Sequence, residues 1–425
     1  MSGQLLIVGL LVVFAAVFFT QLMTMLKLRI DAAYVAGFAI CFDMFGYFYS
    51  QYVPINSFVL LLGAPLLPVC VALLQKPSKP YELLTEPVAW LWALFLLYSL
   101  TSFAWAPSLS NGLLKEQILL IRGVIPGIYI YILYKKYNRF SWTVVALFGL
   151  AYALMHLALG GYSSEYPGRL TMPGGNPIYD ARIAFFTITV CLWGPRIPFV
   201  VRIGVMAAAL LSGFYTQSRG PLVAFLAANA IVGAVLLIQK YRRGELAFLS
   251  RYAAPICFAV LAGLFGLYLY AGHDHQWLDK SRFTVLFDKS QLQADANYLG
   301  RMKLQEEAEA RLLDNPFFGA GLGASSPPLT PDHPHNVIVE MASELGIVGL
   351  LLWSIALLYS IWKASRNRLL LVLLLQVLAY AQLSGDFGYN FEYLLIAFIA
   401  MALVSQTAGK KDERYEESAI SDHRI

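Results

Sequence analysis

The chain has 425 residues, 58% of them hydrophobic and only 13% charged, against about 25% charged in an ordinary soluble domain; with a mean hydropathy of +0.61 this excludes a water-soluble enzyme and points to a membrane protein. The net charge of +5 is spread in small Lys and Arg groups between apolar runs, which argues against a nucleic-acid surface and for a topological role. Cys41, Cys70, Cys191 and Cys257 all fall inside apolar segments without paired or metal-ligand spacing, so they define no disulfide or metal framework.

Windows of about 20 apolar residues predict spans, in chain order, at 5–26, 32–49, 57–74, 87–105, 117–134, 142–160, 179–194, 198–216, 221–238, 253–271, 344–362, 369–384 and 389–405. The first, Leu5 to Leu26, has no basic segment before it and no small-residue cleavage site after it, which predicts a retained span rather than a secretory signal. Alternate connections hold most of the 31 basic residues: Lys27 and Arg29; Lys76 and Lys79; Lys135, Lys136 and Arg139; Arg196 and Arg202; Lys240, Arg242, Arg243 and Arg251; Lys363, Arg366 and Arg368; and the tail. By the positive-inside rule that side is cytoplasmic.

The expected fold is an all-α polytopic membrane protein of about 12–13 transmembrane helices with one large outward loop between the tenth and eleventh spans. It divides into a bundle over 1–271, the loop over 272–343, the last three spans over 344–405 and a polar, disordered cytoplasmic tail over 406–425. Within the loop, Leu299 to Leu313 has the apolar spacing of an amphipathic helix that Asn315-Pro316 stops. The Gly- and Pro-rich stretch after it, GAGLGASSPPLTPDHPH, predicts an irregular loop folding back over the membrane surface.

Three outward features could carry chemistry. Ser218-Arg219-Gly220 is a turn between two spans, and a guanidinium at membrane depth suits phosphate because its planar fork donates two parallel hydrogen bonds; an Arg snorkelling from a helix end would look the same. Arg301 opens the amphipathic helix after Gly300, where it could equally be a solvated surface charge. His333-Pro334-His335-Asn336 opens an apolar helix, and a histidine there could take a proton from an acceptor hydroxyl; Asn336 could instead be only a helix cap. Arg122, Arg169 and Arg182 are further outward cations that belong to no motif. No paired outward carboxylates are present of the kind a catalytic metal would need, so no metal or cofactor is expected.

Taken together, Ser218-Arg219-Gly220, Gly300-Arg301, Asn315-Pro316 with Gly319-Ala320-Gly321-Leu322-Gly323, and His335-Asn336 with Glu344-Leu345-Gly346 resemble the signature region of the O-antigen ligase/polymerase superfamily. Asn176-Pro177 is similar to another family feature, and the motif-bearing resemblance runs over about 170–362. It implies a metal-independent glycosyltransferase of the bacterial inner membrane, with the large loop and the active face periplasmic. The donor would be a glycan on undecaprenyl pyrophosphate and the acceptor a hydroxyl of lipid A-core or another glycan, with membrane lipids around both. Arg219 and Arg301 would stabilise the departing pyrophosphate and His335 would be the general base. Arg182, Arg169, Arg122, His333 and Asn336 are further candidates for substrate binding.

The motifs do not separate ligases from surface-polysaccharide polymerases. A transporter or lipid flippase is the reading from another class, disfavoured by the absence of internal repeats and the gathering of charge at outer helix ends. A non-catalytic assembly partner would need none of the Arg and His set.

Overall fold

A computed structural model describes residues 30–42, 86–162, 166–243, 296–325 and 333–404, with a few isolated positions between 59 and 85. The expected spans 5–26 and 253–271, most of 57–74, the later part of 32–49, much of the 272–343 loop and the tail lie outside the described residues.

Those residues form an all-α assembly of α1 (Ala33–Ile40), α2 (Pro87–Thr101), α3 (Leu109–Leu119), α4 (Ile125–Tyr137), α5 (Trp142–Leu159), α6 (Pro177–Trp193), α7 (Phe199–Tyr215), α8 (Arg219–Arg242), α9 (Ala296–Asp314), α10 (Val337–Ala364), α11 (Arg368–Leu383) and α12 (Glu392–Val404). Among the described residues the extended structure is a two-residue antiparallel pair, β1 (Gly161–Tyr162) with β2 (Leu170–Thr171). Five stretches are long and apolar enough to cross a membrane: Pro87–Ala104, Leu109–Tyr137, α5, α8 and α10. The chain is therefore a polytopic integral membrane protein.

Burial sorts the helices. α6 is buried from Asp180 through Cys191, enclosed by α5, α7, α8 and α11, and α12 is buried almost throughout. α8 instead leaves Leu226, Ile231 and Leu237 uncovered, as a span facing lipid does. The amphipathic helix of the loop is present as α9, ends at Asp314 just before Asn315-Pro316 and packs on α10.

Two irregularities bear on function. Between α3 and α4 the helix widens into a π turn at Leu120–Val124, where Pro126 has no N–H to give the carbonyl four residues back. In α10 the helix breaks at Gly346, with φ 66° and ψ −170°. The amide N–H groups of Ile347 and Val348 then donate to the carbonyls of Pro316 (2.9 Å) and Phe317 (3.2 Å), while those of Ala320 and Gly321 donate to Ser343 (3.0 Å) and Glu344 (2.8 Å). The Gly-rich stretch is thus docked into the break. A Cβ on Gly346 would lie 2.3 Å from the Phe317 oxygen, so the close approach requires glycine there. Irregular backbone at such a depth is tolerated because protein groups satisfy it. α10 also starts at Val337, earlier than the window at 344 implied, because Asn336 caps it.

Candidate functional site

The C-terminus of α11 is the meeting point. Its last carbonyls carry the negative end of the helix dipole and have acceptor capacity to spare, although that of Tyr380 also takes the Ser384 amide (3.0 Å), and arginines from two other helices approach them. Arg182 Nη2, from α6, donates to the carbonyls of Tyr380 (3.1 Å) and Ser384 (2.6 Å). Arg301 Nη1, from α9, donates to Leu383 (2.8 Å). Gly220, next to Arg219 at the start of α8, packs on the same Leu383, whose Cβ would lie 3.5 Å from a Cβ added there. Two of the motif-bearing segments and α6 therefore converge on one helix end.

The histidines complete the group. The rings of His333 and His335 stand 4.2 Å apart, and Gln305 Nε2 of α9 donates to the Pro334 carbonyl (3.2 Å), tying their segment to the helix of Arg301. Burial, then His333, Arg301 and Arg182, push the His335 pKa down to about 3, so its imidazole is neutral at physiological pH. Its Nδ1 is buried without a hydrogen-bond partner among the described residues. Asn336 Oδ1 accepts from the amides of Ile338 (3.1 Å) and Val339 (3.2 Å), which is the geometry of a helix cap.

Backbone strain marks the same place. Four non-glycine residues have positive φ among the described residues, and two of them are Gln217 (50°), just before Ser218-Arg219, and His335 (54°). A left-handed residue other than glycine costs about 1–2 kcal/mol, so packing must hold both.

The other arginines are placed differently. Arg182 is 2% exposed, flanked by the rings of Tyr179 and Tyr380 at 5.0 and 5.3 Å, and its Nη1 reaches Glu392 at 3.5 Å. Arg122, on the π turn, lies over Phe391 at 4.2 Å. It lines, with Arg182, Tyr179, Phe186, Tyr380 and Glu392, a narrow cavity beside the site. Arg169 is buried against the turn that precedes Arg219. Among the described residues no group of three or more His, Cys, Asp or Glu converges as metal ligands would.

Sequence reasoning missed a second, wholly buried set of charges. Lys115 Nζ of α3 lies 2.6 Å from Glu340 Oε1 and 2.6 Å from Glu344 Oε1, both on α10. Glu344 also accepts from the amides of Gly323 and Ser325, each at 2.9 Å, so it clamps the Gly-rich stretch to the broken helix. The signal was available: Glu340 and Glu344 stand four apart on one face of an apolar helix, and carboxylates at membrane depth need a cation. Asp180, on α6, likewise accepts from Tyr152, Thr171 (2.7 Å) and the Met172 amide (3.1 Å), bracing the β1–β2 segment. Near it, Ser212 Oγ and His156 Nδ1 are 2.9 Å apart and His156 Nε2 is 3.6 Å from Asp180. All three are essentially unexposed, which makes this a packed brace and not a hydrolytic triad.

Residues 204–354 match the O-antigen ligase family model. That span contains Arg219, Arg301, His333, His335 and Asn336, whereas Arg122, Arg169 and Arg182 precede it. An O-antigen ligase of Pseudomonas aeruginosa strain PAO1 is 25% identical over 309 residues, covering 70% of this chain and 69% of that protein. With the motifs gathered at one end of the bundle, within and beside the matched region, the chain is similar to the O-antigen ligase/polymerase superfamily.

Proposed function

We propose that this protein is a membrane glycosyltransferase of the O-antigen ligase type. It moves a glycan from undecaprenyl pyrophosphate to a hydroxyl of lipid A-core at the periplasmic face of a bacterial inner membrane, without a metal. The observation that carries this reading is the convergence of Arg301, Arg182 and the start of the Arg219 helix on the end of α11, with a neutral, half-buried His335 beside them.

In the reaction the acceptor oxygen bonds to the anomeric carbon, the bond from that carbon to the pyrophosphate oxygen breaks, and the hydroxyl proton passes to His335. Charge gathers on the leaving pyrophosphate, where pre-placed guanidinium donors in a poorly hydrated site stabilise it most; one such donor is worth about 2.7–4 kcal/mol. Arg219 and Arg301 supply them. Arg182, Arg122 and His333 border the same space and contribute field more than direct bonds.

His335 with a pKa near 3 is a weak base in the free enzyme. Burial is the largest cause of that depression, and the part that comes from His333, Arg301 and Arg182 is the part an arriving pyrophosphate offsets. The donor thereby makes its own base stronger, and proton abstraction is favoured only once the donor is bound.

The test is glycan transfer in cells lacking their own ligase, comparing the wild type with Arg219→Ala, Arg301→Ala and His335→Ala at matched membrane abundance. Lipid A-linked glycan with wild type and none with the variants supports the reading. Lengthened lipid-linked glycan in its place would move the protein to the polymerase branch, and full activity in the variants would sink the mechanism.

A further inference from the structure

Arg169 lies in the connection between α5 and α6, far in sequence from the Ser218-Arg219-Gly220 turn, yet it is 6% exposed and its guanidinium is directed into that turn. Its Nε donates to the Thr216 carbonyl (2.9 Å) and its Nη2 to Ser218 Oγ (2.6 Å). Ser218 Oγ in turn donates to the carbonyl of Pro177 (2.8 Å), the first residue of α6. The Ser218 amide donates to Thr216 Oγ1 (3.2 Å). Between them sits Gln217 at φ 50°, a conformation that costs free energy and persists only where neighbours over-determine it. Arg219, directly after Ser218, is the first residue of α8.

We infer that Arg169 is a positioning residue: its bonds to Thr216 and Ser218 lock the strained turn so that Arg219 leaves α8 toward the end of α11 in a fixed direction. The bond from Ser218 to Pro177 extends the lock to α6, which carries Arg182, so one guanidinium sets the spacing of two others. Two charge-assisted bonds in a buried site are stiff, whereas a turn held only by its own backbone would let Arg219 wander. A misplacement of about 1 Å can cost about 10²-fold in rate. The motif serine gains a reason here, since its hydroxyl both accepts from Arg169 and donates to α6. What Arg219 does for catalysis rests on the proposed function; how it is held does not.

Two measurements on the full chain in membranes or nanodiscs decide the matter. In the first, amide exchange over residues 213–219 is compared between wild type, Arg169→Ala and Arg169→Lys. Exchange should be fastest in Arg169→Ala and intermediate in Arg169→Lys, which keeps a cation but not the planar fork that reaches Thr216 and Ser218 together, while the interior of α6 is unchanged. Equal exchange in all three overturns the inference, whether or not the protein transfers glycan. The second is a double-mutant cycle on transfer rate with Arg219→Lys, which keeps a cation and leaves activity to measure. Arg169→Ala alone should lose about 10²-fold, and far less when Arg219 is already Lys, because both changes damage one device. Losses that simply multiply would mean Arg169 touches the donor itself and would overturn the positioning role. If the wild type transfers nothing, the functional reading fails and the exchange comparison still stands.

Discussion

Two groups of charge share α10 and are compensated in opposite ways. Inside the helix, Glu340 and Glu344 close on Lys115 at 2.6 Å, all three essentially unexposed, and Glu344 is further bonded by two backbone amides. Ahead of the helix, His335 faces Arg301 and Arg182, whose guanidiniums lean on helix-end carbonyls, with Glu392 reaching Arg182 only at 3.5 Å. The first group pairs its charges within itself, with Glu340 Oε2 alone left without a hydrogen bond among the described residues, and holds the fold together. The second is open to an approaching group, half-buried at Arg219 and Arg301, and an anion suits its cations.

Stability and activity should therefore respond in opposite ways. Lys115→Met leaves buried carboxylates without their cation, a loss of about 3–5 kcal/mol, read as a fall in melting temperature in detergent and in membrane abundance. Adding Glu340→Gln and Glu344→Gln should recover much of it, because removing a whole buried ionic group is far milder than removing one partner. If Lys115→Met is as stable as wild type, the buried cluster is not a structural tie. Arg301→Ala and Arg219→Ala should lower transfer about 10²–10³-fold with melting temperature nearly unchanged. A large stability loss in either would place it with Lys115.

The pH dependence sharpens the contrast further. In the proposed mechanism His335 must be neutral to accept a proton, so activity rises with pH through its pKa. In the free enzyme that pKa is pushed down to about 3, and kcat/KM should show no His335-dependent fall as pH drops through the ordinary histidine range near 6.5. With a pyrophosphate donor bound, as proposed, the charge of Arg301 and Arg182 is offset, the pKa rises, and the acid limb of kcat should appear at higher pH than that of kcat/KM. Coincident limbs would mean that the donor does not neutralise the arginines around His335.

Much of this was legible from local pattern. The spans from α2 to α8, the amphipathic α9 with its Asn315-Pro316 stop, and the turn carrying Arg219 all follow from hydropathy and capping chemistry that neighbouring residues determine. What was not legible depends on distant contacts or on backbone angle. Nothing near Arg169 or Arg182 shows that one bonds Ser218 and the other Ser384, so both read simply as outward cations. Lys115 meets its carboxylates across more than two hundred residues of chain. Hydropathy is blind to φ, so the break at Gly346 reads as continuous helix, and the Gly-rich stretch reads as a surface loop although Leu322 is fully buried.

The smallest expected effect falls at Asn336, where the two regions join. Its Oδ1 accepts two amides of the first turn of α10, so Asn336→Ala should cost about 1 kcal/mol and reduce transfer only a few-fold, by loosening the backbone that carries His335. Asn336→Ser keeps an acceptor oxygen for the cap but loses the side-chain amide that could donate to a substrate. Wild-type behaviour in Asn336→Ser identifies the residue as the peg between a rigid helix and a reactive histidine. If Ser is as poor as Ala in transfer while restoring the melting temperature, the lost function lies in the amide N–H groups, and Asn336 belongs with the residues that bind the donor or acceptor.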